Sequence, residues 1–367
     1  MERPNQRWRP DSFLLGLIAM LVLAWLWPGL GRDGGPLHLD LVTRYGVAAV
    51  FLLHGLLLAP ERLRAGLLNW RLHLFTQAAS FVLFPLLVWG GLLVAGDGLP
   101  SEFRLGFLFL AALPTAVSTS VVVTAVAGGN VAGAIFNTAL SSLLAVLLTP
   151  LWVHLFLASD GGGTLDLGAV LGRLALLVAA PLALGQLLRP WLGRLATHAS
   201  GLDRLIVLLV VLNAFSSSFA AGAAAAPSPL LMAVAGADVV LFLAMIGLLS
   251  LLGRGLGLTV ADRRAGMFCG AQKSIAAGAP MGAILFTGAG DLGMVLAPAI
   301  LYHLLQLLIG GALARRLGTA SPTEPRHPLA DAASPSTLRG AGVGARRFSR
   351  RVQLARKTDY CTTKGRR

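Results

Sequence analysis

The chain has 367 residues, of which 56% are hydrophobic and 13% charged, and its formal net charge is +14. Soluble globular chains run at about 45–50% apolar and about 25% charged, so a water-soluble enzyme is excluded first and a disordered chain second. Apolar stretches that continue for about twenty residues without period-two alternation exclude an outer-membrane barrel. What remains is a polytopic helical membrane protein, with room for roughly ten crossings at about 20 residues each.

Taken in chain order, the apolar runs predict spans at about residues 12–30, 41–59, 73–95, 105–126 and 131–157, then 168–188, 205–222, 230–253, 265–286 and 293–314. Gly, Pro or charge clusters punctuate them. Residues 1–11 read as a polar N-terminus ahead of a retained first span, without a signal-peptide cleavage site. Basic residues collect in alternate segments: Arg3, Arg7 and Arg9, then Arg62, Arg64 and Arg71, then Arg189, Arg194 and Arg204, then Arg254, Arg263 and Arg264, then the tail. The intervening loops hold Arg32 and Arg104 beside Asp33, Asp40, Asp97, Glu102, Asp160, Asp166 and Asp291. The positive-inside rule then puts both termini in the cytoplasm. Such scattered basic charge argues against nucleic acid as a partner. Cys269 and Cys361 show no metal-ligand spacing, and no bridge between them is expected.

Five spans at 12–157 and five at 168–314 form two halves of nearly equal length. An odd number of spans per half inverts the second half relative to the first, the arithmetic of many secondary transporters. Residues 318–367 are a different material, rich in Ser, Pro, Gly and Arg, with Arg346, Arg347, Arg350 and Arg351 around Phe348. This tail is expected to be disordered. It either contacts anionic lipid through its basic residues or is simply solvated.

Two segments depart from a continuous apolar span. In 113–142, LPTAVSTSVVVTAVAGGNVAGAIFNTALSS, Pro114 interrupts span four, and Thr115, Ser118, Thr119, Ser120 and Thr124 follow. Gly128, Gly129 and Asn130 then turn into span five, which carries Asn137, Thr138, Ser141 and Ser142. In 268–280, FCGAQKSIAAGAP, Gln272, Lys273 and Ser274 stand between Gly270 and Gly278 in span nine. Spans four and nine correspond in the two halves. Unwound backbone in hydrocarbon must line a cavity or pack in protein, and paired interruptions of this kind point to a transport site. Small residues that only allow close helix packing are the simpler alternative.

Lys273 is the most informative residue. An ammonium at mid-span costs roughly 2.5–3.5 kcal/mol on insertion scales, so it must face a polar interior. There it would serve as charge partner of a solute or as a proton carrier. Asp238 in span eight is the other intramembrane charge, and an Asp238–Lys273 pair would neutralise both. His54, His154 and His303 read as hydrogen-bonded core histidines.

The runs AVAGGNVAGAIFNTALSSLLAVLLTPL, NWRLHLFTQ and FCGAQKSIAAGAPM resemble the bile acid:sodium symporter superfamily. Within it, they are similar to the bacterial branch grouped with the seventh member of vertebrate solute carrier family ten. The likeness covers about residues 10–316. It implies an all-α fold of ten helices in two inverted five-helix repeats. Spans one, two, six and seven would form a panel domain and the rest a core domain, in which broken spans four and nine cross at the substrate and ion site. It also implies a bacterial cytoplasmic-membrane transporter with no cofactor beyond sodium or a proton as coupling ion. Sodium-dependent relatives carry Glu four residues before Gln-Asn-Ser on the ninth helix. This chain keeps Gln272 and Ser274 but has Phe268 and Lys273 in the Glu and Asn places. On the fourth helix the Ser-Asn pair of the family is Ser120 followed by Val121. Thr124 and Thr138 fall where the family has threonines, and Gln77 resembles its third-helix Gln. Ser120, Thr138 and Gln272 would be the remnant of the sodium site.

The expectation is a secondary transporter moving a small organic, anionic solute by alternating access. Its polar ligands would be Ser118, Thr119, Ser120, Thr124, Asn130, Asn137, Thr138, Gln272 and Ser274, with Lys273 as charge partner and Asp238 and Gln77 as candidate charge relays. A regulator or receptor on the same fold, without turnover, is the alternative. An intramembrane enzyme finds no support, since no metalloprotease motif or nucleophile elbow is present.

Overall fold

The computed structural model describes residues 12–57, 69–159, 172, 175–198, 201–221, 228–286 and 291–319. The basic N-terminal residues, the segments holding Arg62, Arg64, Asp160 and Asp166, and the tail from Ala320 lie outside the described residues. The described residues are helical, with a single isolated antiparallel bridge and no strand.

In chain order the helices are α1 (Ser12–Leu26), α2 (Pro28–Gly31), α3 (Leu39–Leu57), α4 (Trp70–Ala78), α5 (Phe84–Ala95), α6 (Ser101–Ala112) and α7 (Val117–Val126). They continue with α8 (Val131–Ser159), α9 (Ala180–His198), α10 (Leu202–Ala220), α11 (Ser228–Gly255), α12 (Val260–Ala271), α13 (Ile275–Leu285) and α14 (Leu292–Thr319). A π-helical turn, Ala79–Leu83, joins α4 to α5 into one rod, and another precedes α9 at Ala175–Ala179. Among the described residues, six helices are long and apolar enough to cross a membrane: Trp70–Ala95, Val131–Phe156, Leu176–Gly193, Leu202–Ala220, Pro229–Gly255 and Leu292–Thr319. The bent pair Leu39–Gly46 and Ala48–Leu57 makes a seventh if it is one span, and Phe13–Leu26, Val117–Val126 and Ile275–Leu285 are shorter apolar helices.

Local chemistry sets the helix ends. Asn69 caps α4 by accepting from Leu72 N at 3.4 Å. Thr259 caps α12, accepting from Asp262 N at 3.1 Å, while its hydroxyl donates to Asp262 Oδ2 at 2.9 Å. A cap of this kind satisfies one of the donors that a helix start leaves open. Asp291 caps α14 through Gly293 N and Met294 N at 3.0 and 3.2 Å, and also accepts from Ser218 of α10. Gly128, at φ +68°, makes the left-handed turn from α7 to α8 that other residues rarely adopt.

Packing is close where side chains are small. The backbones of Gly55 in α3 and Gly185 in α9 face each other, so that a Cβ on Gly55 would lie 3.1 Å from Gly185 Cα. Helix α10 packs on α1, α2 and α3. Its Asn213 accepts from Thr43 at 2.9 Å and donates to Gly31 O and Asp33 Oδ1, each at 2.9 Å. One polar side chain thereby ties three neighbouring elements together. On the other side, α14 packs against α6, α7, α11 and α13, and α12 packs against α4, α7 and α11. The buried aromatic side chains Phe84, Phe242 and Tyr302 stack edge-on within this second group.

Candidate functional site

Two helices stop in the protein interior and resume after a few extended residues. Between α6 and α7 lie Leu113–Ala116; Leu113 has ψ 150° and Ala116 ψ 122°. Pro114 is the cause, because it has no N–H to continue the helix and pushes the residue before it out of the α region. Between α12 and α13 lie Gln272, Lys273 and Ser274, with Gln272 at ψ 134° and Ser274 at ψ 106°. The span expected at 265–286, with its interruption at Gln272–Ser274, is two helices, and the first begins earlier than the apolar run, at Val260.

The two extended segments pair with each other. Ser274 N donates to Pro114 O at 2.9 Å and Ala116 N to Gln272 O at 3.3 Å, across an antiparallel Thr115–Lys273 bridge. On the far edge, the Gln306 amide serves Lys273 like a neighbouring strand: it accepts from Lys273 N and donates to Lys273 O, both at 2.8 Å. His303 Nδ1 sits 2.8 Å from Gln306 Nε2. Buried backbone outside a helix is tolerated only when its polar groups find partners, and here they find them.

The helix ends are satisfied in the same way. Thr149 donates to Ala112 O at 2.7 Å, Thr115 Oγ1 to Cys269 O at 2.7 Å and the Tyr302 hydroxyl to Ala271 O at 2.7 Å. Thr115 N donates to Ser141 Oγ at 2.9 Å. Further carbonyls are held by Lys273. Its Nζ donates to Ala111 O and Leu113 O, each at 2.9 Å, and to Ser80 O and Oγ at 2.8 and 3.1 Å. Both sources of carbonyl trace to proline. Pro114 ends α6, and Pro85 lacks the N–H that Ser80 O would meet in the π-helical turn, where Phe84 N already serves Ala79 O. Lys273 is 1% exposed, and its amine also lies 4.3 Å from the Phe84 ring centroid. A cation at the C-terminal end of α6 is favoured by the helix dipole, and charge-assisted hydrogen bonds are the strong ones.

Asp238 is fully buried on α11, and neither of its carboxylate oxygens has a hydrogen-bond partner among the described residues. The expected Asp238–Lys273 pair is not formed, because backbone carbonyls and Ser80 take the amine instead. Lys273 is itself buried, its ammonium spent on protein oxygens and not on a solute.

The other predicted residues divide. Ser120 donates to Gln272 Oε1 at 2.8 Å, while Gln272 Nε2 is buried without a partner among the described residues and faces Gly310. Ser274 caps α13 by accepting from Ala277 N at 3.3 Å. Ser118 is exposed at the start of α7, and the hydroxyl of Thr119 beside it is buried without a partner among the described residues. Thr124 lies against the Cys269 thiol. Gln77 donates to Asn137 O and Oδ1 at 3.0 and 3.2 Å, and Asn137 donates to Gly133 O at 2.9 Å. Thr138 turns back on its own helix, donating to Ile135 O at 3.0 Å. Asn130 is away from the crossing: it donates to Asp262 Oδ1 at 2.7 Å and accepts from Gly133 N at 2.8 Å, holding the α7–α8 turn to the start of α12. Ser80, Tyr302 and Gln306 were not expected at the site, while Thr115 and Ser141 belong to the segment singled out in the sequence but were not among the expected ligands. His303 and Gln306 carried a signal, polar residues three apart on one face of an apolar helix.

Sodium fits this oxygen set poorly. Phe268 supplies no carboxylate, Cys269 O and Ala271 O already accept hydroxyls, and the ammonium holds the carbonyls at the end of α6.

A sequence profile of the SBF-like CPA transporter family matches residues 11–319. The chain is 37% identical to protein PA2026 of Pseudomonas aeruginosa over 323 residues, covering 86% of this chain and 95% of the relative. It is 36% identical to YfeH of Escherichia coli K12, whose name gives symporter as a provisional role, covering 83% of this chain and 92% of the relative. It is 31% identical to sodium/bile acid cotransporter 7-B of Xenopus laevis over 341 residues, covering 88% of this chain and 99% of the relative. The chain therefore belongs to the SBF-like CPA transporter family, a family of integral membrane transporters and not of enzymes.

Proposed function

We propose that this protein is a secondary transporter of a small organic anion in which the Lys273 ammonium stands where sodium-dependent relatives hold their coupling cation. The observation that carries this reading is the amine itself, enclosed by carbonyls of Ala111, Leu113 and Ser80 beside the paired extended segments. A lysine side chain is tethered and cannot be released in the transport cycle, so sodium coupling at this place is replaced by a fixed charge. Coulomb repulsion between an ammonium and a sodium ion about 4 Å apart, about 4 kcal/mol at an effective dielectric of 20, disfavours the two together.

The architecture we infer is ten spans in two inverted halves. Support comes from adding the bent α3, the short α1 and the two interrupted pairs, α6–α7 and α12–α13, to the six long helices. The interrupted pairs fall at corresponding places in the halves. Helices α1, α3, α9 and α10 pack on one another as a panel would, and α4 to α8 with α11 to α14 supply the core. Both termini would face the cytoplasm of a bacterium.

The N-termini of α7 and α13 meet at the crossing, where helix dipoles favour an anionic group. Ser118 and the unpartnered Thr119 hydroxyl are the first-turn donors we assign to the solute. Asp238 is the group we assign to a coupling proton, since its carboxyl is buried with no donor or counter-charge among the described residues to hold it ionised. Uptake of labelled organic anions into proteoliposomes, with sodium and proton gradients imposed separately, tests the reading. Uptake driven by a proton gradient in sodium-free buffer supports it; uptake that needs sodium and survives Lys273→Ala refutes it.

A further inference from the structure

A groove of 670 Å³ runs between the continuous α4–α5 rod and the end of α11. Its walls are apolar side chains such as Phe75, Leu83, Leu249 and Leu256, and its one charged lining residue is Arg71, which with Trp70 stands at one end. The Arg71 guanidinium lies 5.8 Å from the Trp70 ring centroid, and both residues are exposed. Arg254, also exposed, is at the same end of α11. From Trp70 to Leu86 the rod rises about 24 Å at 1.5 Å per residue. One leaflet of a bilayer, headgroup included, is about 20 Å thick. The groove therefore has the length of a leaflet, an apolar body, and a cation with an interfacial tryptophan where a headgroup would lie.

We propose that this groove binds an anionic phospholipid, with an acyl chain along α4–α5 and α11 and the phosphate on Arg71. Basic pockets between membrane helices bind anionic headgroups in this way. The occupant would touch the residues that fix the crossing. Ala79 and Leu83 line the groove and belong to the π-helical turn whose Ser80 holds the Lys273 amine. Ala79 and Leu249 also close on Gly270 of α12, where a Cβ would lie 2.9 and 2.8 Å from them. Lipid in the groove thus braces the wall behind the amine, independently of which solute or ion is carried.

The test is native mass spectrometry of the full chain with added phosphatidylglycerol or phosphatidylcholine, on the wild type, Arg71→Ala and Ala78→Trp. Ala78 is an exposed groove residue, and tryptophan there fills the space from the lipid side. Tighter binding of phosphatidylglycerol to the wild type, a preference that falls about fivefold in Arg71→Ala, and loss of both lipids in Ala78→Trp support the site. Equal binding of the two lipids to the wild type overturns it, as does an unchanged preference in Arg71→Ala. A wild-type dimer that Ala78→Trp converts to monomer also overturns it, since a second copy would then be the occupant.

Discussion

Lys273 and Ser80 are 193 positions apart in sequence, yet the lysine ammonium reaches both oxygens of the serine, at 2.8 Å for the carbonyl and 3.1 Å for the hydroxyl. The contact joins the extended link between α12 and α13 to the π-helical turn of the α4–α5 rod. It gives one side chain a structural duty both at the end of α6 and at this turn, and this makes its removal measurable without any solute.

Lys273→Met should lower stability on the order of 3 kcal/mol, because several buried carbonyls lose a charged donor and each unsatisfied group costs about 1–3 kcal/mol. Thermal unfolding of the purified protein in detergent is the check. A loss below about 1 kcal/mol would mean that the carbonyls have other partners.

Phe84→Leu removes the ring beside the amine while keeping much of the apolar volume. A desolvated cation–π contact is worth about 2 kcal/mol, so this variant should be destabilised by a similar amount. In Lys273→Met the same Phe84 change should cost less. A double-mutant cycle with no coupling would remove the ring from the charge's environment.

How much of this was legible beforehand depends on the type of group. Pro114, Gln272 and Lys273 announced the interruptions, because proline and an intramembrane charge have few places to go. The amine's acceptors had no such mark. Ala111 O and Leu113 O are backbone groups whose availability follows from where α6 stops, and Ser80 is a single serine in an apolar run. The Asp238–Lys273 pairing failed for the same reason: side-chain charges are visible in a sequence, and freed carbonyls are not. Asn130 looked like a ligand but closes a turn, a role that hydrogen-bond geometry alone distinguishes. The length of α12 was also hidden, since its first turn carries Asp262, Arg263 and Arg264 and lies outside the apolar pattern.

Asp238→Asn should abolish proton-driven uptake, by tenfold or more, while solute exchange without a gradient persists. Stability should change by less than about 1 kcal/mol, since no hydrogen bond to the carboxyl is lost. Uptake in proteoliposomes and thermal unfolding check the two halves. Intact proton-driven uptake would take Asp238 out of the cycle.

Gly185→Val should destabilise the α3–α9 contact by about 1–3 kcal/mol, because the added side chain meets backbone and not a yielding side chain. Valine at Gly90, where a Cβ meets nothing within 4 Å, is the control and should leave the melting temperature nearly unchanged.

Combining Phe268→Glu, Lys273→Asn and Val121→Asn replaces the ammonium by the carboxylate and amides found in sodium-dependent relatives. Sodium should then raise the melting temperature in a saturable way, by about 2.7 kcal/mol of stabilisation at a hundredfold excess over Kd. Choline in place of sodium should give no shift.

The decisive measurement is saturable binding of radiolabelled sodium by the purified wild-type protein, with that triple variant as the positive control. An ammonium fixed in the cation's place predicts no specific binding to the wild type and clear binding to the variant. Saturable sodium binding by the wild type, with Lys273 intact, would contradict it.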